Sequence, residues 1–182
     1  MLILASKSPR RKELLKKIVP SFAIIPADID ERLLDPSLKA KDLALEESKL
    51  KAYTIFSLHP DDEILSCDTI VILNGKVLEK PVDKDDAIRM LELESGKRQI
   101  VVSAYTYISK EKEISHSVTT EVYFRSLSEE EIITYVTRFS PLDKAGAYGI
   151  QDDFPLIEKI VGSYDNVMGL PTEDLKKRVF KL

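Results

Sequence analysis

The run from Ile64 to Leu73 constrains the fold of this chain more than any other segment. Apolar and β-branched residues fill most of it, and Asn74-Gly75, a pair typical of tight hairpin turns, follows directly. This pattern predicts a central strand of a sheet, with a return strand that begins at Val77-Leu78. The rest of the chain must therefore supply the neighbouring strands.

The other segments mix strand and helix patterns. Short apolar runs predict strands at Leu2–Ala5, Phe22–Ile25, Gln99–Ile108 and Val118–Phe124. Helix patterns and caps predict helices that start at Ser8-Pro9, run from about Leu38 to Phe56, follow Asp83, follow Ser128 and extend from Thr172 to Phe180. Because this order lacks strict β-α-β alternation, we expect an α/β fold with a mixed sheet. No linker or repeat interrupts it, so residues 1–182 are predicted to form a single domain.

Composition and missing motifs exclude several classes of protein. The net charge of −4 and the pI near 5.4 argue against broad nucleic-acid binding, which needs a basic face. No apolar run approaches the roughly 20 residues that span a bilayer, and the N-terminus lacks a signal-peptide pattern. Cys67 is the single cysteine, which favours a reducing compartment, so we expect a soluble cytoplasmic protein. The absence of a Walker loop and of GxGxxG argues against P-loop and Rossmann nucleotide binding.

Three cations, Arg10, Arg11 and Lys12, stand in the opening turn of the first predicted helix. The positive end of the helix dipole disfavours cations at this place, so something should compensate. A strand-to-helix turn with a Ser8 cap, free backbone N–H groups and two guanidinium groups is a good seat for phosphate. A solvated surface turn is the alternative, and the spacing alone does not decide between the two.

Asp68 is a carboxylate inside the predicted central strand. Burial without a partner would cost several kcal/mol, so Asp68 should meet a cation, a metal ion or several donors, unless it faces solvent at a strand end. Lys49 falls on the apolar face that Leu45, Ala52 and Phe56 define on the long helix, where it is either paired or reaches to water. Glu31 belongs to an acidic loop that either holds a hard cation through oxygen ligands or is a solvated turn.

Four ordered stretches resemble the Maf family of nucleotide pyrophosphatases. They are residues 5–11 (Ala-Ser-Lys-Ser-Pro-Arg-Arg), residues 68–81 (from Asp-Thr-Ile-Val to Leu-Glu-Lys-Pro), Ser95-Gly96, and residues 142–151 (Leu-Asp-Lys-Ala-Gly-Ala-Tyr-Gly-Ile-Gln). The closing residues 162–171 also fit, so the resemblance covers nearly the whole chain. Each stretch alone could arise by chance, whereas the ordered set is very specific.

The resemblance implies an elongated, twisted mixed sheet flanked by helices, with two lobes around a deep cleft, as in the Maf and inosine triphosphate pyrophosphatase folds. It also implies cleavage between the α and β phosphates of a nucleoside triphosphate, with release of a monophosphate and pyrophosphate, and dependence on Mg²⁺ or Mn²⁺. Carried over position by position, the substrate-binding residues would be Ser8, Arg10, Arg11, Lys49, Lys80 and Gln151. The catalytic residues would be Asp68, Glu31, Lys80 and Arg11, with Asp68 and Glu31 as the metal ligands.

The branch of the family is indicated by residues 68–71 and 144–151, which look like those of members that act on dTTP, UTP and modified pyrimidine nucleotides. Departures from the family pattern occur at Cys67, at Gln99, where the family commonly has His, and at 152–154, where glycines often follow the Gln. They affect base recognition and the pocket rim more than the phosphate chemistry. The alternatives are action on 7-methyl-GTP, an inosine triphosphate pyrophosphatase, or a nucleotide-sensing or partner-binding role in division control, since the family is also described as inhibiting septum formation. A homodimer is a possible assembly.

Overall fold

The fold is that of a computed structural model, which describes residues 1–30 and 34–182. Strands and helices follow in the order β1 (Leu2–Leu4), α1 (Pro9–Lys16), β2 (Ala23–Ile24), α2 (Ala40–Leu58), β3 (Glu63–Leu73), β4 (Lys76–Leu78), α3 (Lys84–Glu94), β5 (Arg98–Ile108), β6 (Glu113–Phe124), α4 (Glu129–Phe139), β7 (Ile157–Val161), α5 (Tyr164–Met168) and α6 (Thr172–Leu175). A 3₁₀ turn occupies Ala145–Ala147, and a single π-helical turn, Lys176–Phe180, follows α6. Among these described helices, none is both long and apolar enough to cross a bilayer.

The strands form a seven-stranded sheet in the order β2-β1-β3-β5-β6-β7, with β4 paired to β3. β1 runs parallel to both of its neighbours, and Ile3 is aligned with Ala23 of β2 and with Ile64 of β3. β4 and β7 are antiparallel to β3 and β6, respectively. The predicted α/β fold with a mixed sheet flanked by helices is therefore confirmed.

The hairpin predicted at Asn74-Gly75 is also confirmed. The two residues have φ angles of 51° and 77°, the left-handed backbone that a two-residue turn between strands requires. β3 and β4 then pair directly, with Val71 opposite Leu78. The sequence pair is suited to this turn because Gly adopts positive φ without strain and Asn tolerates it better than most residues.

The described chain forms two compact units. The first contains Met1–Thr69, Val102–Val118 and Asp165–Leu182, and the second contains Ile70–Val101 and Thr119–Tyr164. In the first unit, alternate residues of β1 belong to different apolar clusters: Leu4 packs with Leu14 of α1, and Ile3 packs with Ala52 of α2. This alternation follows from the two-residue period of a strand, and it places a helix on each side of β1 and β3.

In the second unit, α3 packs against α4 and against the 3₁₀ turn. Ala87 and Leu91 on α3 and Ile132 and Val136 on α4 are buried, as their helical spacing requires. The last residue of α3, Glu94, is buried as well, although it is an acid. This residue gave no signal in the sequence pattern.

The predicted helix starts agree with the structure. Ser8 accepts a hydrogen bond from the backbone N–H of Arg11, with Pro9 as the first helical residue, and Ser128 and Glu131 form a complete capping box. Several other boundaries differ by one or two residues, and α5 (Tyr164–Met168) was not predicted. Two strands differ more: β6 begins at Glu113 rather than at Val118, and β7 (Ile157–Val161) was not predicted. Residues 113–117 and β7 contain no fully buried side chain, so they lack the apolar run or the alternation that makes a strand recognisable.

Candidate functional site

Asp68 lies on β3 in the first unit, and its side chain is largely buried, with 14% of its surface exposed. The Nζ of Lys51 on α2 lies 2.5 Å from its Oδ1. Burial alone would raise the pKa of Asp68, but a hydrogen bond with Glu47 and the positive charges of Lys51 and Arg11 outweigh burial and hold that pKa below its ordinary value. The carboxylate inside the central strand therefore has cationic partners, as its burial demands.

Glu47 and Lys51 stand one helical turn apart on α2, beside its buried residues. Lys51 is itself mostly buried, with 19% of its side chain exposed. Asp68 thus has a carboxyl group and an ammonium group from the same helix within hydrogen-bonding distance.

The guanidinium group of Arg11 is held by three hydrogen bonds within the first unit. Its Nε donates to the carbonyl oxygen of Gly169 at 2.8 Å, Nη1 donates to Ser6 Oγ at 3.2 Å, and Nη2 donates to Thr69 Oγ1 at 3.0 Å. These bonds use three of the five N–H donors of the guanidinium group, and the buried thiol of Cys67 is a further hydrogen-bonding contact of Arg11. Arg11 is therefore fixed in direction and can still donate to an anion.

Thr69, the residue after Asp68, links Arg11 to the interior. Ser103 Oγ donates to the carbonyl oxygen of Asn166 at 2.9 Å, so the 2.8 Å contact between the two hydroxyl groups must have Thr69 as the donor. Thr69 then accepts from Arg11 and donates to Ser103, so the donor and the acceptor of each of these hydrogen bonds are defined. This network ties β3 and β5 to the turn that contains Gly169.

Arg10 differs from its neighbour because neither its side chain nor its backbone N–H has a partner in the described part of the chain. Pro9 has no N–H, and those of Arg11 and Lys12 bond to Ser8. The opening turn of α1 therefore offers a free guanidinium group and a free backbone N–H. These are the donors that the phosphate-seat interpretation of the sequence requires.

The residues at Asp68 can be tested for their fit to a divalent metal ion. No group of three or more His, Cys, Asp or Glu side chains gathers anywhere within residues 1–30 and 34–182. Asp68 and Glu47 nevertheless supply hard oxygen donors, and Mg²⁺ commonly uses one or two carboxylates together with substrate phosphates and water. The donor set fits Mg²⁺ or Mn²⁺ completed by a substrate. Glu31, the second ligand expected from the sequence, lies outside the described residues.

The buried face of α2 only partly matches the predicted stripe. Ala44, Ser48, Ala52 and Ile55 are fully buried, so Ala52 belongs to this face, whereas Leu45 and Phe56 are only half-buried. Lys49 is half-buried, and its Nζ contacts Glu46 at 2.7 Å.

Lys51 and Glu47 were missed because Ser48, a polar residue, is buried at the centre of the true face. The carboxyl–ammonium pair at i and i+4 was the available signal.

Lys80 and Gln151 belong to the second unit, and both are exposed. The loop that leads to Gln151 is tightly held within that unit. The hydroxyl of Tyr135 accepts from the backbone N–H of Gly149 at 2.9 Å and donates to Asp152 at 2.6 Å. A Cβ at Gly149 would lie 2.8 Å from Asp152 Oδ2, so this position has no room for a side chain.

A family model and relatives of similar sequence match nearly the whole chain. The family described as Maf-like protein matches residues 1–181. A protein of Thermococcus gammatolerans named dTTP/UTP pyrophosphatase is 43% identical over 178 residues, which cover 97% of this chain and 94% of that protein. A Thermosipho africanus protein of the same name is 44% identical over 93% of this chain and 87% of its own length. The solved structure of the Staphylococcus aureus Ham1 protein overlaps 68% of this chain and 71% of its own, with a TM-score of 0.49 and 14% identity.

Proposed function

The chain belongs to the family of Maf-like proteins, and on this premise we propose that it is a pyrophosphatase of dTTP and UTP. In the proposed reaction, water attacks the α-phosphorus, the bond from this phosphorus to the bridging oxygen breaks, and pyrophosphate leaves from the nucleoside monophosphate. The relatives named dTTP/UTP pyrophosphatase support the substrate class, because they match nearly the whole chain. The observation that carries the proposal is the buried Asp68, ionised between Arg11 and Lys51.

Binding of the triphosphate is assigned first to the start of α1. A triphosphate carries about four negative charges, and phosphoryl transfer is catalysed mainly by positioning and by neutralisation of charge. Arg10 offers a guanidinium group without a partner in the described residues, and Arg11 offers the N–H groups that its internal bonds leave free. Ser8 shapes this turn as the cap of the helix.

Asp68 is assigned the task of orienting or activating the attacking water. Its lowered pKa keeps it ionised at neutral pH, which suits a hydrogen-bond acceptor for water. We further propose dependence on Mg²⁺ or Mn²⁺, with Asp68 and Glu31 as ligands and Glu47 within reach of the same ion. When bound, such an ion would neutralise phosphate charge and favour deprotonation of water. Lys51 orients the carboxylate of Asp68 through its 2.5 Å contact.

The remaining assignments rest on the resemblance to the family. Lys49 and Lys80 are proposed to add positive charge for the phosphates, and Lys80 is also proposed as a catalytic residue. Gln151 is proposed to bind the nucleoside part of the substrate, and modified pyrimidine triphosphates are proposed as further substrates. Lys80 and Gln151 are both exposed in their own unit, which leaves their side chains accessible to a ligand.

The test is an assay of pyrophosphate release by the purified protein. The substrates are dTTP, UTP, a modified pyrimidine triphosphate, 7-methyl-GTP and ITP, each with Mg²⁺, with Mn²⁺ and with a chelator. We expect turnover of dTTP and UTP with either metal, and none with the chelator. Preference for 7-methyl-GTP or ITP would contradict the proposed substrate, and saturable binding without turnover would favour a nucleotide sensor.

A pair of variants locates the chemistry. Asp68→Asn should reduce kcat by about 10³-fold or more while the protein stays folded, because the amide cannot serve as a base and is a weak metal ligand. Asp85→Asn, at an exposed position on α3, is the matched control and should keep the activity of the wild type. A fully active Asp68→Asn protein would remove Asp68 from the mechanism.

A further inference from the structure

Glu94, the last residue of α3, is an acid with no exposed surface. Its Oε1 accepts a hydrogen bond from Nε2 of Gln99 at 2.6 Å, and its Oε2 has no hydrogen-bond partner in the part of the chain that is described. Burial raises the pKa of Glu94 well above its ordinary value, and the single bond from Gln99 offsets only part of this effect. Burial thus favours the neutral acid over the carboxylate at this position.

The amide of Gln99 passes this contact on in one direction. Because Nε2 of Gln99 donates to Glu94, its Oε1 is the acceptor, and it receives the hydroxyl of Tyr148 at 2.7 Å. Tyr148 is buried, and its ring packs edge-to-face against the ring of Phe124, with 5.0 Å between the ring centroids. The end of α3, the start of β5 and the segment after the 3₁₀ turn thus form one polar chain inside the second unit.

Glu94 also contacts the 3₁₀ turn directly. A Cβ added to Gly146 would lie 2.8 Å from Oε1 of Glu94, and Gly146 has a φ of 73° that disfavours other residues. The backbone at Gly146 therefore packs against the carboxyl group of Glu94. The side chain of Tyr148 is linked to the same carboxyl group by hydrogen bonds through Gln99. Gln151 lies three residues after Tyr148, and between them the backbone N–H of Gly149 bonds to the hydroxyl of Tyr135.

We propose that Glu94 and Gln99 are positioning residues that hold the 3₁₀ turn and Tyr148 in place, and thereby set the position of Gln151 for the nucleoside part of the substrate. This inference rests on the proposed function, because it assigns the role through Gln151. Neither residue touches the substrate in this scheme. A loss of the network should therefore weaken substrate binding more than it slows the chemical step.

Three variants test the inference with dTTP. Tyr148→Phe removes one hydroxyl and leaves the amide of Gln99 without its donor, so KM should rise roughly tenfold while kcat stays within about twofold. Glu94→Leu removes the acceptor at the other end and should have the same effect. Glu94→Gln keeps a neutral acceptor for Gln99 and should restore KM to within about twofold of the wild type.

Tyr123→Phe is the matched control, because its hydroxyl bonds to Glu121 in the same unit but outside this network. It should leave KM unchanged. An unchanged KM in Tyr148→Phe, or a fall in kcat equal to the rise in KM, would overturn the positioning role.

Amide hydrogen exchange provides a readout that does not depend on turnover. Exchange in residues 145–151 should accelerate about tenfold or more in Tyr148→Phe and Glu94→Leu, but not in Glu94→Gln or Tyr123→Phe. Unchanged exchange in Tyr148→Phe and Glu94→Leu would contradict the inference even if the enzyme is active. A wild-type protein that releases no pyrophosphate would instead contradict the proposed function, and it would do so whatever the exchange data show.

Discussion

The ammonium group of Lys51 lies 2.5 Å from the carboxylate of Asp68, although the two residues are 17 positions apart and belong to different elements. Together with Glu47, this contact decides the charge state of the candidate site. An acid inside a strand is tolerated here because the neighbouring helix supplies its partners. The first prediction concerns this pair.

Replacing Lys51 by Met should reduce kcat/KM for dTTP by about tenfold or more, because Asp68 loses the ammonium group that orients it. The pKa of Asp68 is lowered in the wild type partly by that positive charge, so its loss raises the pKa. The acid limb of the pH–rate profile should then move to higher pH. Lys41→Met, at an exposed position of the same helix, is the control. An unshifted acid limb in Lys51→Met would contradict the role of the pair.

The bonds of Arg11 predict a loss of stability when its fork geometry is lost. Arg11→Lys keeps the charge but cannot reach Gly169, Ser6 and Thr69 together, so the free energy of unfolding should fall by about 1.5–3 kcal/mol. Urea unfolding measures this change. Arg89 is exposed and forms an ion pair with Asp86 one turn earlier on α3, so Arg89→Lys should change the free energy of unfolding by less than about 0.5 kcal/mol. Equal effects of the two variants would argue against the internal role of Arg11.

Glu94 predicts an unusual dependence of stability on pH. Its pKa is raised by folding, so its favourable contribution is complete below the unfolded pKa of about 4.3 and is lost as pH rises through the folded pKa. Between the unfolded and the folded pKa, the free energy of unfolding of the wild type falls by about 1.4 kcal/mol per pH unit relative to that of Glu94→Gln. Urea unfolding at pH 5 and pH 8 should therefore show a growing advantage of Glu94→Gln. A constant difference between the two proteins would contradict the raised pKa.

Gly149 predicts a steric effect in the loop that leads to Gln151. A methyl group there would lie 2.8 Å from Asp152 Oδ2 and 2.9 Å from Lys144 Cε, so Gly149→Ala should lower the free energy of unfolding by about 1–3 kcal/mol. Gly75→Ala has no atom within 4 Å of the added group and should cost only about 1 kcal/mol, through its positive φ. Thermal unfolding compares the two variants. A Gly149→Ala protein as stable as the wild type would show that the loop yields easily.

Much of the fold follows from local patterns in the sequence. Ser8-Pro9, Asn74-Gly75 and the pair Ser128 and Glu131 act on their immediate neighbours, and the structure confirms each of them. The mixed α/β sheet and the family were also predicted, and the match to Maf-like proteins over residues 1–181 confirms the family. Local hydrogen bonds and ordered motifs depend on few residues, so they can be recognised without knowledge of long-range contacts.

The sequence by itself thus determined the family, most of the element types and the need of a buried Asp68 for a cation, a metal ion or several donors. Only the tertiary structure decided that Lys51 fills this need and that Lys49 contacts Glu46. A shift of two residues along a helix rotates a side chain by about 200°, and packing of Ser48 against β3 sets that rotation. The network of Glu94 was invisible for the same reason, since an acid at a helix end is ordinary until its surroundings exclude water.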